Sequence, residues 1–220
     1  PFDSTKYENA NFSIMGMTGA GKTMLLQLLA TRFYEQQVPV CVIAPFKGHE
    51  YRPACEAMGG KYIKLAPSSS DCINIMEIRG GSLDPEASIG RMRARNDSLL
   101  ADKITTLHIF FSPLIPNISD EDKNLLDAAL LRCYQDFGIS YNNDSLYDVD
   151  GNIKVMPTLK NLYETLSSHE DTRHLAVYLT RYVSGSAASM GGATNADLNA
   201  RYIVLDISDA PPDLLVNYIL

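Results

Sequence analysis

Residues Gly16-Met17-Thr18-Gly19-Ala20-Gly21-Lys22-Thr23 carry the spacing G-x-x-x-x-G-K-[ST]. Each residue type in that pattern has a mechanical job. Gly16, Gly19 and Gly21 permit backbone turns that a Cβ would block. Such turns aim successive N–H groups at one point and build a nest for phosphate oxygens. Lys22 supplies a mobile positive charge for the β- and γ-phosphates and for the charge that develops in phosphoryl transfer. The Thr23 hydroxyl suits a magnesium ion. The expected ligand is therefore ATP with Mg²⁺. The expected binding set is Gly16, Thr18, Gly19, Ala20, Gly21, Lys22, Thr23 and Met24, with Thr23 on the metal and Lys22 as the catalytic cation.

Such a loop works only between a strand and a helix. Phe12-Ser13-Ile14-Met15 is a short apolar run that predicts a buried strand. Lys22 to Gln36 is an uninterrupted helix former with Leu25, Leu28, Leu29 and Phe33 at helical spacing. The helix N-terminus would face the anion, as phosphate binding requires. Val40 to Ala44 is a continuous β-branched run, expected of a parallel strand buried on both faces. Tyr51 to Met58 predicts a short helix stopped by Gly59-Gly60. Lys61 to Leu65 alternates and reads as a strand near an edge, and Ile73-Asn74-Ile75 as a short extended piece. Alternation of strands and helices implies a parallel sheet with helices on its faces.

After Gly80-Gly81 the β-branched runs give way to helical spacing. Leu99, Leu100, Ile104, Leu107 and Phe111 define one helix, expected to end near Pro113. Ser119 before Asp120-Glu121-Asp122 is an N-terminal cap with acids in the first turn. The apolar stripe from Leu126 to Phe137 follows, with Gly138 placed to stop it. Pro157-Thr158 opens a helix through Leu166, and Leu175 to Val183 forms another. Ser184 to Asn199 reads as a mobile loop, and Tyr202 to Ile207 returns to a strand.

The 220 residues carry a net charge of −7 and 45% hydrophobic residues, which marks a globular chain rather than a disordered one. The absence of a dense basic run argues against strong direct nucleic-acid binding. No stretch reaches the length of a membrane span. Cys41, Cys55, Cys72 and Cys133 have neither zinc spacing nor a disulfide framework.

Hydrolysis needs an acid for Mg²⁺ and another to orient water. Asp206, after Ile203-Val204-Leu205, is one candidate. The competing reading is a strand-end acid that caps a turn. Glu50 is the other candidate, because it follows the strand Val40 to Ala44 and strand C-termini line sites in open α/β sheets. Its plainer role is a solvated loop acid. Tyr147 to Gly151 fails as a calcium loop, since Leu146 and Pro157 would occupy ligand positions; Asp150-Gly151 predicts a tight turn. Arg91, Arg93 and Arg95 form a small basic cluster that suits a solvated helix face better than a DNA contact. The four histidines have no metal spacing.

Taken in order, these segments resemble the conjugative-transfer ATPases of type IV secretion, the TraC/TrbE-like members of the HerA/FtsK branch of RecA-fold motors. The similarity rests on Pro1-Phe2-Asp3, Gly16 to Thr23, Glu50-Tyr51, and Gly59-Gly60 before Tyr62 to Leu65. It continues through Ile73-Asn74-Ile75, Pro157-Thr158-Leu159 with Leu162-Tyr163-Glu164, Tyr182 to Ser186, and Tyr202 to Ile207. Ala44 to Tyr51 departs from the family's D-P-E-G-E-Y-like run.

The resemblance implies a RecA-like α/β core from residues 1–84 and 196–220, with a mainly helical insertion over 85–195. It also implies that the family's acidic pair falls after residue 220, that the chain is a fragment, and that Asp206 is not the magnesium acid. Such a fragment would hydrolyse ATP poorly, with Glu50 as the stand-in acid. The implied partners are other type IV secretion subunits and, in the full-length protein, a homo-hexamer. The implied location is cytoplasmic, peripheral at the inner face of the membrane through partners. A DNA-translocating coupling motor and a nucleotide-gated assembly module are the alternatives.

Overall fold

The computed structural model describes residues 11–79 and 98–210. Three parallel strands, β1 (Val40–Ala44), β2 (Lys61–Lys64) and β3 (Tyr202–Asp206), form one sheet in the order β1-β3-β2. The central strand β3 pairs Val40 with Tyr202 on one side and Lys61 with Ile203 on the other. It is the most buried strand, with Val204 fully enclosed. The three strands among the described residues lie within residues 40–64 and 202–206.

Two expectations about this sheet need correction. Phe12 to Met15 forms no strand, and Phe12 and Met15 are exposed. A strand exists only when a neighbour takes its hydrogen bonds, and none of the described strands pairs with this run. The second concerns β1, which is not buried on both faces. Cys41 and Ile43 point outward while Ala44 is enclosed. Its one partner is β3, so β1 lies at an edge of the described sheet, where alternation replaces continuous burial.

Helix α1 (Lys22–Glu35) follows the glycine-rich loop, and α2 (Arg52–Ala57) follows a 3₁₀ turn over Gly48–Tyr51. Gly59, at φ +67°, ends α2 as the sequence anticipates. Ile73-Asn74-Ile75 is not a strand. It threads between the sheet and the helices, and its polar groups are met by side chains instead. The Asn74 N–H donates to Thr194 Oγ1 at 2.9 Å, and its buried side-chain amide donates to the Pro157 carbonyl at 2.9 Å.

The helical body contains α3 (Leu99–Leu114), α4 (Asp120–Asp136), α5 (Leu159–Ser167) and α6 (Arg173–Val183). Their apolar stripes meet in one cluster that includes Leu107, Phe111, Leu130, Tyr134, Leu162 and Tyr182. The start signals act as read: Ser119 Oγ accepts the Asp122 N–H at 3.0 Å, and Thr158 with Asn161 forms a capping box. Gly138, at φ +68°, stops α4. Helix α3 ends near Pro113 as expected, one residue beyond it at Leu114. A proline in the last turn keeps its favourable φ and gives up a single backbone bond.

Residues 184–199 are mostly irregular, yet they are fastened rather than loose. Asn195 Oδ1 accepts the Cys72 N–H at 2.7 Å, and Asn195 Nδ2 donates to the Ser70 carbonyl at 2.7 Å. Gly191 packs so closely on the Tyr182 carbonyl that a Cβ would collide with it. Among the described residues no helix is long and apolar enough to cross a membrane.

Candidate functional site

Gly19 and Gly21 take φ +83° and +81°, a region that L side chains rarely adopt. The two left-handed residues bracket Ala20 and turn the chain into the first turn of α1. Gly21 is the N-cap of that helix, and no side chain caps it. The first N–H groups of α1 therefore lack side-chain caps and carry the positive end of the helix dipole. The first turn holds no acid that would compete with an anion.

Lys22 folds back over the loop it ends. Its ammonium donates to the Gly16 carbonyl at 2.7 Å and to the Met17 carbonyl at 2.8 Å. The loop thus forms a closed arc around a cation at a helix N-terminus. Thr23 follows immediately in the first turn, and Gly16, Thr18 and Ala20 complete the exposed arc. Gly16 to Thr23 lie together in this turn, and Met24 is next along the helix, largely exposed.

Helix α1 is held by polar contacts more than by its leucines. Gln27 Nε2 donates to the Glu50 carbonyl at 2.8 Å, and Tyr34 Oη donates to the Met58 carbonyl at 3.1 Å. The Tyr34 ring meets Tyr202 of β3 edge-on at 5.6 Å. Leu25 and Leu28, expected on the buried stripe, are about half exposed, and Ala30 alone is buried.

The two candidate acids are engaged elsewhere. Glu50 sits on the turn that Gln27 holds, but its carboxylate lies 3.3 Å from the Lys47 ammonium. Asp206 is buried at the end of β3. Its Oδ1 accepts the Ser208 N–H at 2.9 Å and the Ser208 hydroxyl at 2.6 Å, and its other oxygen accepts the Tyr62 hydroxyl. Asp206 therefore caps the turn after β3. Burial pushes its carboxyl upward, but the bonds from Ser208 and Tyr62 outweigh burial and hold it below the usual carboxylate range. Tyr62 is pushed the other way, by burial first and then by its bond to Asp206.

Gly48 matters here for a reason the sequence did not display. Its α-carbon presses against Asp206 so closely that a Cβ would overlap the carboxylate. The approach packs the 48–51 turn onto the C-terminal end of the sheet, and Gln27 ties the same turn to α1. A glycine shortly after a strand is the only signal, and it fits many loops equally well.

The remaining sequence candidates lie apart. Arg91, Arg93 and Arg95 fall outside the described residues. Asp148 turns its carboxylate to the N–H groups of Asp150 and Asn152, both at 2.9 Å, and Gly151 takes φ +80°, a tight turn as expected. His174 pairs with Asp122 at 2.7 Å and His108 with Asp127 at 3.1 Å. Among the described residues no cluster of metal-ligating side chains forms.

A phosphate loop opening a helix, beside a small parallel sheet, defines a P-loop nucleotide-binding protein of mixed α/β architecture. Residues 1–87 match the family described as the TraG P-loop domain. Among solved structures the chain is similar to VirB4 of Thermoanaerobacter pseudethanolicus. The two are 29% identical, with a TM-score of 0.71 over 92% of this chain and 51% of that one. The chain thus spans about half the length of that relative. Both matches support the type IV secretion ATPase family that the motifs resemble. No curated protein sequence matches the chain.

Proposed function

We propose that the chain is the ATP-binding part of a type IV secretion or conjugative-transfer ATPase that couples hydrolysis to channel assembly or substrate transfer. The observation that carries this is the left-handed Gly19/Gly21 pair opening α1 with Lys22 inside the arc. The donor set fits a nucleoside triphosphate. Backbone N–H groups from Gly19 to Met24 would hold phosphate oxygens, Lys22 would neutralise the terminal phosphates, and the Thr23 hydroxyl would face Mg²⁺. A bound Mg²⁺-triphosphate supplies the reactive phosphoryl group; this chain's residues bind it and stabilise charge.

In this reading residues 1–84 and 196–220 form the nucleotide core and 85–195 the helical insertion. Strands drawn from 40–64 and 202–206, with the main helices between, support the division. The chain by itself hydrolyses slowly. Asp206 caps its own turn and Glu50 shares its carboxylate with Lys47, which supports slow turnover. Glu50 remains the acid assigned to residual turnover, because Gln27 ties its turn to the P-loop helix. The full-length protein would work with other secretion subunits, as a hexamer held peripherally at the inner face of the membrane.

Calorimetry with ATP-Mg²⁺ tests the reading. Lys22→Ala removes charged hydrogen bonds worth about 1.5–3 kcal/mol, so ATP affinity should fall about 10- to 100-fold and ADP affinity less. Equal ATP affinity in both proteins sinks the proposal. Phosphate release that is fast in the wild type and abolished by Glu50→Gln would instead make the chain a competent hydrolase. Fluorescence anisotropy with single- and double-stranded DNA separates the coupling-motor alternative, which requires tight binding at physiological salt despite the net charge of −7.

A further inference from the structure

The segment from Asp71 to Ile78 passes between the sheet and the helical body, and a cavity of about 240 Å³ lies beside it. Leu65 and Leu205 wall it on the sheet side, and Phe110, Leu159 and Tyr182 on the helical side. Ile73, Ile75 and Met190 close it and are only partly buried, so the cavity has a route to solvent. Its floor includes the Cys72 thiol, which already donates to the Gly192 carbonyl. Asp71 is the one charged lining residue, and its carboxylate already accepts the Lys64 N–H at 2.9 Å.

We infer that this seam cavity binds a small uncharged aromatic molecule of one ring or two fused rings. The chemistry of the wall selects the class. An apolar cavity of about 150 Å³ takes benzene, so this larger one has room for a ring. An anion would meet Asp71 with no cation to offset it. A cation would lose hydration against apolar walls for one carboxylate already hydrogen-bonded. A flat ring gains offset or edge contacts with Phe110 and Tyr182 and a sulfur contact with Met190.

The walls belong to two bodies, and the segment between them is pinned to both. Asp71 accepts the Lys64 N–H of β2 on the sheet side, while on the helical side Asn74 reaches the Pro157 carbonyl and Tyr134 of α4 donates to the Met76 carbonyl at 2.6 Å. A ring in the seam therefore braces the joint between the sheet and the helices. This inference is independent of the nucleotide reading: it uses no residue of the P-loop and its test uses no nucleotide.

The experiment titrates the 220-residue chain with indole while following ¹³C-labelled methyl groups by NMR. Saturable ring-current shifts are expected at Ile73, Ile75, Leu159 and Met190, with Leu28 of α1 unmoved. The melting temperature should rise with indole concentration. Met190→Trp fills the cavity from within and should abolish both responses in a protein that still folds. Ile73→Phe is the second filling variant, for use if the first does not fold. Should both fail to fold, the wild-type titration decides. Shifts that never saturate, shifts spread over surface methyls, or responses unchanged in a folded filling variant overturn the inference.

Discussion

Helix α1, which carries the phosphate loop, and helix α4 of the helical body are similar in length and opposite in how they are held. Helix α1 buries Ala30 alone and exposes Leu25 and Leu28. Helix α4 buries Leu126, Ala129, Leu130, Cys133 and Tyr134. Burial pushes the Cys133 thiol up to about 11 and Tyr134 further above its ordinary value, as expected deep in an apolar core. The difference teaches that chemistry and stability are carried by different parts of this molecule. The loop that would grip phosphate is a backbone device on a lightly packed helix. The larger apolar cluster lies in helices that contain none of the candidate catalytic residues.

The sharpest way to break this comparison is a matched pair of truncations. Leu130→Ala should cost about 2–5 kcal/mol of unfolding free energy, because the side chain is fully enclosed. Leu28→Ala should stay within about 0.5 kcal/mol, as for an exposed position. Urea denaturation measures both, and similar losses would show that α1 is as firmly packed as α4.

A smaller effect sits where the two candidate acids' segments meet. Gly48→Ala places a methyl group against the Asp206 carboxylate, an overpacking that should cost about 1–3 kcal/mol. Because Gln27 of α1 holds the same turn, nucleotide affinity should fall along with stability. Loss of stability with calorimetric affinity intact would show that the turn supports the sheet alone.

The smallest expected effect is a pH dependence. The folded-state pKa of Asp206 lies below its ordinary value, so its contribution to stability is fully present above about pH 4. It is lost as pH falls through the lower folded value. Asp206→Asn should therefore be less stable than wild type at neutral pH, and the gap should close on acidification. A constant gap from neutral pH down to strongly acidic solution would refute the sign.

The helix ends were legible because caps are local. Ser119, Thr158 and Gly138 act through groups within a few residues of themselves. Parallel strands were legible from β-branched runs at Val40 and Tyr202, though not their order, which sets β3 between β1 and β2. The missing strand at Phe12 to Met15 and the open faces of Ile43 and Leu28 were not legible. An apolar run states what a segment would bury, while the neighbour that buries it is a tertiary fact.

The same division holds for the candidate site. The sequence by itself determined the phosphate loop, since two left-handed glycines, a lysine and a threonine at fixed spacing need only each other and the start of a helix. Tertiary structure alone decided where Asp206 went. Glu50 met a local partner, Lys47, three residues before it, whereas Asp206 was drawn into a buried bond with Tyr62, 144 residues away in sequence. A long-range partner depends on which chain segments the fold brings within hydrogen-bond reach, and no spacing along the chain encodes that.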